Sequence, residues 1–353
     1  MRRTFLFLVC VLVLSSVVIA ADDQYKPWLH KPTVPEHPKI KLFGQYATNL
    51  FPGAATYSFP IDVPKGTNGL QPSLTLSYSS QSMRGRPGIV GAGWSINQNY
   101  IYRDVNATPD NTTDDEFVLV LDNTPYELVY NPADGLFHTE VEYHFKVQNL
   151  TGGNNQYSRY WVVTLKNGVE YQFGYTTDSE LGSNTGRSYA VRWNLNFVTD
   201  PFDNIMNFSY TEDPFAEDNG TAYLHEIRYN RDQQRKVLFE YEGTARPDRR
   251  RVFDQGNRIE ESRRLNQISV FAENQLVRRY QLNYTTLNPA LSTISSIKDF
   301  GADNTTLWYN ITFSYYQSEA GYVNVTTWTP PVIFSDSSHE DFGVRLLDVN
   351  NDG

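Results

Sequence analysis

At 353 residues the chain has room for one large or two ordinary domains around a sizeable core. Asp and Glu outnumber Lys and Arg by 40 to 30, a formal net charge of −10, which argues against a nucleic-acid binder, whose footprint is a basic patch. The composition holds 24 Tyr, 20 Phe and 6 Trp, which favours sheet, and a single cysteine, Cys10, so the chain forms no internal disulfide.

The predicted elements begin with Arg2 and Arg3 ahead of an apolar run from Phe5 to Ile19, then Ala20 and Ala21. This is the pattern of a secretory signal peptide over residues 1–21. The run is shorter than the ~20 residues of a spanning helix, so cleavage is expected in preference to an uncleaved anchor. Residues 22–45 carry Pro27, Pro32, Pro35 and Pro38 and read as a semi-rigid extended linker.

Residues 53–103 organise the rest of the chain. Thr56–Val63 and Leu74–Ser79 alternate apolar and polar residues, the pattern of half-buried strands, with Leu74, Leu76 and Tyr78 on one face. Pro64 and Pro72 bound the connection, and Asn68-Gly69 within it tolerates positive φ and marks a tight turn. Gly53 and Gly66 punctuate the same stretch. Gly85, Gly88, Gly91 and Gly93 then predict a bend where backbone passes close to backbone, ending at a buried Trp94.

Short strand patterns recur from Phe117 to Tyr322. Phe117–Leu121 and Tyr126–Tyr130 flank Asp122-Asn123. Tyr160–Lys166 and Val169–Phe173 flank Asn167-Gly168, the strongest short-range hairpin signal. Val191–Val198, which contains Trp193, and Ile205–Tyr210 flank Asp200–Asn204. Leu224–Tyr229, Lys236–Tyr241, Gln267–Phe271, Val277–Tyr284 and Trp308–Tyr316 come next, and no long stretch of helical period interrupts them. The expectation is an all-β fold, a large antiparallel sheet domain of many short strands.

Nine Asn-x-Ser/Thr sequons, at Asn106, Asn111, Asn149, Asn207, Asn219, Asn283, Asn304, Asn310 and Asn324, suit a glycosylated exported surface. The alternative is an Asn- and Thr-rich β-protein that carries no glycan. At the end of the chain Asp348, Asn350 and Asp352 alternate ahead of Gly353, the first half of a calcium loop whose later ligands are missing. Three such ligands are expected to hold Ca²⁺ weakly at best. No other cofactor is expected.

The residues of the opening stretch carry a family resemblance. Gly53-Ala54-Ala55-Thr56-Tyr57-Ser58, Ile61-x-Val63-Pro64-x-Gly66, Gly69-Leu70-Gln71-Pro72, Leu74-x-Leu76-x-Tyr78-Ser79-Ser80 and Gly91-x-Gly93-Trp94-Ser95 together resemble the N-terminal signature of the SpvB family, the Salmonella virulence-plasmid B protein and the related Tc-toxin B subunits. Tyr160-Trp161-x-Val163 with Lys166-Asn167-Gly168, Trp193-x-Leu195 with Asp200 and Asn204, and Arg264-Leu265-x-x-Ile268-x-Val270 continue it, as do Arg279-Tyr280-x-Leu282-x-Tyr284 and Leu291-Ser292-x-Ile294. The resemblance runs over roughly residues 46–316. Two departures show: Met83–Pro87 stands where the family has a shorter Gly-Asn step, and Asp203 stands where it has Gly. The closing Asp348–Gly353 also resembles the start of an FG-GAP or VCBS-type repeat, so residues 46–330 are expected to form the SpvB-like β-domain and 331–353 the beginning of a propeller-type repeat.

The resemblance implies a secreted, virulence-related structural module that helps enclose or deliver a toxin or effector polypeptide, alongside Rhs/YD-repeat segments as partners, with no nucleic acid and no membrane span after leader cleavage. Two other readings are an extracellular adhesive protein with calcium-loop repeats and a fragment of a toxin whose catalytic domain lies beyond Gly353. The SpvB toxin carries a separate ADP-ribosyltransferase module, which needs an arginine, a Ser-Thr-Ser-type strand and then Glu-x-Glu. Here Glu140-Val141-Glu142 and Glu240-Tyr241-Glu242 both precede Ser292–Ser295, the wrong order, and are expected to be solvent-facing. No zinc motif, nucleophile elbow or phosphate loop is present, and His138 with His144 lacks further metal ligands. Arg249-Arg250-Arg251 beside Asp248 reads as a solvated turn. No catalytic residue is expected; aromatics and glycines carry the work.

Overall fold

The computed structural model describes residues 43–49, 53–287 and 291–315. The leader, most of the linker, Asn324 and the calcium-loop residues Asp348, Asn350 and Asp352 lie outside them. Among the described residues there is no α-helix, only strands, turns and three short 3₁₀ turns, and the strands are antiparallel throughout.

A first sheet is built from β1 (Gln45–Asn49), β2 (Ala54–Ile61), β3 (Leu74–Ser79) and β4 (Trp94–Ile96), in that order. The predicted hairpin is β2–β3, with Ile61 opposite Leu74 and Thr56 opposite Ser79. Its alternation has the expected consequence: Phe59, Ile61, Leu74 and Leu76 are buried while their neighbours are half-exposed or open. Asn68 and Gly69 both hold positive φ, +52° and +81°, in the connection.

A second, much larger sheet comes next in the chain. It contains β5 (Tyr100–Asp104), β6 (Glu116–Leu121), β7 (Thr124–Asn131), β8 (Leu136–Thr139), β9 (Lys146–Thr151), β10 (Arg159–Thr164), β11 (Glu170–Phe173), β12 (Glu180–Gly182) and β13 (Ala190–Thr199). Strands β5 to β11 are hydrogen-bonded in sequence, and β13 pairs with both ends of that run. Ile101 of β5 lies opposite Trp193, and Phe173 of β11 opposite Leu195. Eight strands therefore close into a ring, which removes the exposed edges an open sheet would have.

The lumen of this ring is filled with aromatic side chains. Phe117 on β6 and Trp161 on β10 come from opposite sides of the ring, yet their ring centroids are 4.9 Å apart. Trp193 and Phe137 join them, at 5.8 Å and 4.9 Å from Trp161. Trp161, Val163, Phe173, Leu119 and Ile101 are fully buried. Each aromatic pair contributes about 0.5–1.5 kcal/mol beyond the area it buries.

Beyond β13 the sheet opens out. Its members are β14 (Ile205–Glu212), β15 (Ala222–Tyr229) and β16 (Arg235–Tyr241), then, after a separate hairpin of β17 (Arg250–Asp254) and β18 (Asn257–Glu261), β19 (Leu265–Ala272), β20 (Gln275–Leu287), β21 (Leu291–Phe300) and β22 (Leu307–Thr312). β14 pairs with the C-terminal half of β13 on the side that β5 occupies along its N-terminal half. β13 is thus shared by the ring and the open sheet. The turn leading into β14 is built by Asp200, which accepts from Phe202 N and Asn204 N, both at 2.9 Å. Asp203, standing where the resemblance expects glycine, holds φ +60°.

The first sheet covers one face of the open sheet. Phe59 meets Tyr280 edge-on at 5.9 Å, the Asp62 amide donates to the Tyr280 hydroxyl at 3.1 Å, and the Tyr229 hydroxyl donates to Pro64 O at 2.7 Å. Trp94 is 4% exposed and lies against Phe313, centroid distance 4.9 Å, with its indole N–H donating to the Tyr315 hydroxyl at 2.8 Å.

Candidate functional site

The glycine-rich bend is the first feature to place. Gly53, Gly69, Gly91 and Gly93 all hold positive φ, and Gly66 comes so close to Leu70 that an added Cβ would overlap its carbonyl. At Gly91 the backbone passes against β21: Ala92 N donates to Ser292 O at 2.7 Å, and the Thr293 hydroxyl donates to Ala92 O at 2.9 Å. Beneath the bend lies Arg246, whose side chain is fully buried. It donates to Gly88 O at 2.8 Å, to Asp248 Oδ1 at 2.9 Å and to Ser292 Oγ at 3.2 Å. Asp248 also accepts from Ser292 N at 2.7 Å. Burial works against the ionised Asp248, but the hydrogen bonds from Arg246 and Ser292 outweigh it and hold the carboxyl below its ordinary range. All three guanidinium nitrogens of Arg246 thus donate to protein. The bend is thereby joined to β21 through Ala92 and to Arg246 through Gly88.

Beside that joint is a cavity of about 500 Å³. Its walls are the Gly88–Ile96 segment, the outward face of β5 and the start of β13, and its roof is the β17–β18 hairpin. The alternation of β5 sends Ile101 into the ring and Tyr100 and Tyr102 outward to the cavity. The same alternation on β13 sends Trp193 inward and Arg192 outward. The Arg192 guanidinium lies 3.7 Å from the Tyr100 ring centroid and donates from Nε to Asn194 Oδ1 at 2.8 Å and from Nη2 to Gln98 Oε1 at 3.1 Å. Burial pulls its pKa below the usual guanidinium value. Across the cavity Glu261, 6% exposed, faces Arg250 Nη1 at 3.4 Å. Burial pushes the Glu261 carboxyl up, and Arg250 only partly offsets this. The roof is pinned: the Thr185 hydroxyl donates to Gly256 O at 2.8 Å, and Asn184 Oδ1 accepts from Arg258 N at 3.1 Å.

The other expected positions are spread over the fold. Pro64 accepts from Tyr229, Pro72 precedes β3, and Tyr78 stacks on Trp94 at 5.3 Å. Asn106, Asn111, Asn304 and Asn310 are exposed. Asn149, Asn207, Asn219 and Asn283 are half-buried, and Asn283 Nδ2 already donates to Ser296 Oγ at 2.9 Å. His138 sits between Asp134 and Glu142, while the His144 ring faces Glu142, and among the described residues no cluster of three or more metal-ligating side chains occurs. Arg250 and Arg251 stand on β17 opposite Glu261 and Glu260, a strand where a solvated turn was expected. Glu240 and Glu242 are half-buried, not solvent-facing: Gln267 donates to Glu240, and Arg264 donates to Glu242 at 2.6 and 2.8 Å. Glu140 and Glu142 are exposed as expected.

Arg192, Gln98, Tyr100 and Glu261 were not singled out by the sequence. One signal was available: Val191-Arg192-Trp193 places an arginine between two apolar residues of a strand, where a charge must face a partner or a cavity.

An aromatic-filled eight-strand ring sharing a strand with a broad open sheet, braced by a buried arginine joint, defines a large structural β-module. The family model described as Salmonella virulence plasmid 65kDa B protein matches residues 49–274, and the chain belongs to this SpvB family. The fold is shared with the N-terminal domain of the effector protein SpvB from Salmonella typhimurium strain LT2, at TM-score 0.56 and 18% identity, covering 69% of this chain and 98% of that one. It is shared also with the Photorhabdus luminescens Tc holotoxin pore structure (TM-score 0.61, 16% identity, 77% of this chain) and with the TcdB2-TccC3-Cdc42 crystal structure (TM-score 0.59, 16% identity, 75% of this chain). The match takes up only 16% of each of those two longer chains. Comparison with curated proteins returns no match.

Proposed function

We propose that the chain is a secreted, non-enzymatic wall module of a toxin-delivery assembly, in which residues 46–330 form the SpvB-like β-domain and residues 331–353 begin a propeller-type repeat. The observation that carries this is the family membership together with one fold common to the SpvB N-terminal domain and to far longer Tc chains. A module reused at the start of an effector and inside a toxin complex is suited to holding or passing a polypeptide. A filled ring and a wide sheet are stiff because interiors this closely packed resist deformation. The partners would be Rhs- or Tc-type segments or the cargo itself. Export would use the residue 1–21 leader, and glycans would sit on the open sequons Asn111, Asn304 and Asn310.

The test is co-expression of the full chain with the polypeptide encoded in the next reading frame downstream. Limited proteolysis should leave the partner protected only when the chain is present. Unchanged digestion of the partner, or NAD-dependent modification of a target by the purified chain alone, would overturn the proposal.

A further inference from the structure

The cavity beneath the β17–β18 hairpin has the makings of a ligand site that the wall role does not use. Its volume of about 500 Å³ lies within the range of small-molecule sites. The inner wall presents two guanidinium groups, Arg192 and Arg250, against one carboxylate, Glu261, which is engaged with Arg250. Asp254 stands exposed at the rim. No carboxylate lies within salt-bridge distance of Arg192 among the described residues; Glu261, on the same cavity, attracts it only from farther away.

Arg192 is also held in place as a binding group needs to be. Tyr100 fixes the plane of the guanidinium, and Asn194 and Gln98 take Nε and Nη2. That leaves Nη1 with no hydrogen bond among the described residues. The Gln98 carboxamide, its oxygen already taken by Arg192, has its Nε2 donor in the same condition, and so does the Tyr100 hydroxyl. Arg192, Gln98 and Tyr100 all line this cavity, so three residues with an unused donor meet at a guanidinium that has no ion-pair partner among the described residues. Acceptor-only anions fit such a donor set, and a planar carboxylate suits a fixed guanidinium.

We propose that the cavity binds a small organic carboxylate, with its anionic group on Arg192 Nη1 and the Gln98 amide and Tyr100 hydroxyl as neighbouring donors. The rest of the ligand occupies the space under the hairpin, between Tyr102, Asn257 and Ile259. The occupant is a free small molecule, which a cavity of about 500 Å³ suits.

The experiment is calorimetric titration of the full chain with glucuronate, succinate and benzoate, using glucose as an uncharged counterpart and sulfate as a bare anion. At least one carboxylate is expected to bind at millimolar strength or better, with glucose at least ten-fold weaker. Arg192→Met is expected to abolish the heat of binding. Tyr100→Phe keeps the ring beneath the guanidinium, so it should melt at the parent temperature and bind the carboxylate roughly 3- to 10-fold more weakly. The proposal is overturned if no carboxylate binds, if sulfate binds as well as the carboxylates, or if Tyr100→Phe and a folded Arg192→Met bind as the parent does. None of these outcomes depends on the proteolysis of the co-expressed partner.

Discussion

Replacing Gly91 and Gly69 by alanine separates two costs that glycines usually hide together. Both residues hold strongly positive φ, +87° and +81°. A Cβ at such an angle costs about 1–2 kcal/mol wherever it sits. At Gly69 an added Cβ would find nothing within 4 Å, so this is the whole expected loss. At Gly91 it would lie 2.8 Å from Ser292 O and 3.0 Å from Thr293 Cα, both backbone atoms of β21 that cannot swing aside. Relief requires the bend to withdraw, which pulls Ala92 N off Ser292 O and Thr293 Oγ1 off Ala92 O. Losing one or both of these buried bonds adds about 1–3 kcal/mol each. Gly91→Ala should therefore lose about 2–8 kcal/mol, at least about 1 kcal/mol more than the about 1–2 kcal/mol of Gly69→Ala. Equilibrium urea unfolding followed by tryptophan fluorescence measures both. Equal losses within about 0.5 kcal/mol would refute the joint between the bend and β21.

Three further outcomes rest on the same packing. Trp94→Ala should cost about 3–5 kcal/mol in thermal unfolding, because the buried indole loses its contacts with Tyr78 and Phe313 and its hydrogen bond to Tyr315; an unchanged melting temperature would contradict this. Arg246→Met should destabilise by about 3–5 kcal/mol by stranding Asp248, and adding Asp248→Leu should recover part of the loss, read as a double-mutant cycle in urea. Asp248 is depressed by Arg246 and Ser292 despite its burial, and Asp303, bonded first by the Thr306 side chain, is lowered to about 2. A depressed carboxyl stabilises the fold above its unfolded pKa and loses that contribution as pH falls through the folded one. Stability should accordingly decline from about pH 4 to pH 2, and Asp248→Asn together with Asp303→Asn should flatten that limb; an unaltered acid limb in pH-dependent melting would count against it.

Much of the fold was legible because period-two alternation is strong in runs of six or more residues. Leu74–Ser79 is β3 to the residue, and Val191–Val198 falls within β13. Strands of three to five residues, such as β4, β8, β12 and the β17–β18 hairpin, hold too few alternations to be seen. β21 was missed for a different reason: Ser292, Thr293, Ser296 and Asp299 are buried polar residues, and a strand that buries polar side chains shows no apolar alternation. Glu240 and Glu242 looked solvated because their partners, Gln267 and Arg264, lie more than twenty residues away. Closure of the ring had no local signature at all. The family resemblance picked out Trp94 and Trp193, both buried, but it was silent on Arg192, which no motif includes.

The double role of β13 sets a timetable for synthesis. Ile101 and Trp193 are partners separated by roughly ninety residues. Until β13 has emerged, everything from β5 to β11 is a meander with two raw edges, and bringing those edges together costs loop entropy that no nearer contact repays. The nascent half-molecule is therefore the form most exposed to pairing with the wrong neighbour. One strand, arriving late, both seals the ring and offers the C-terminal half of the edge that β5 occupies as the template on which β14 and the rest of the sheet are laid down.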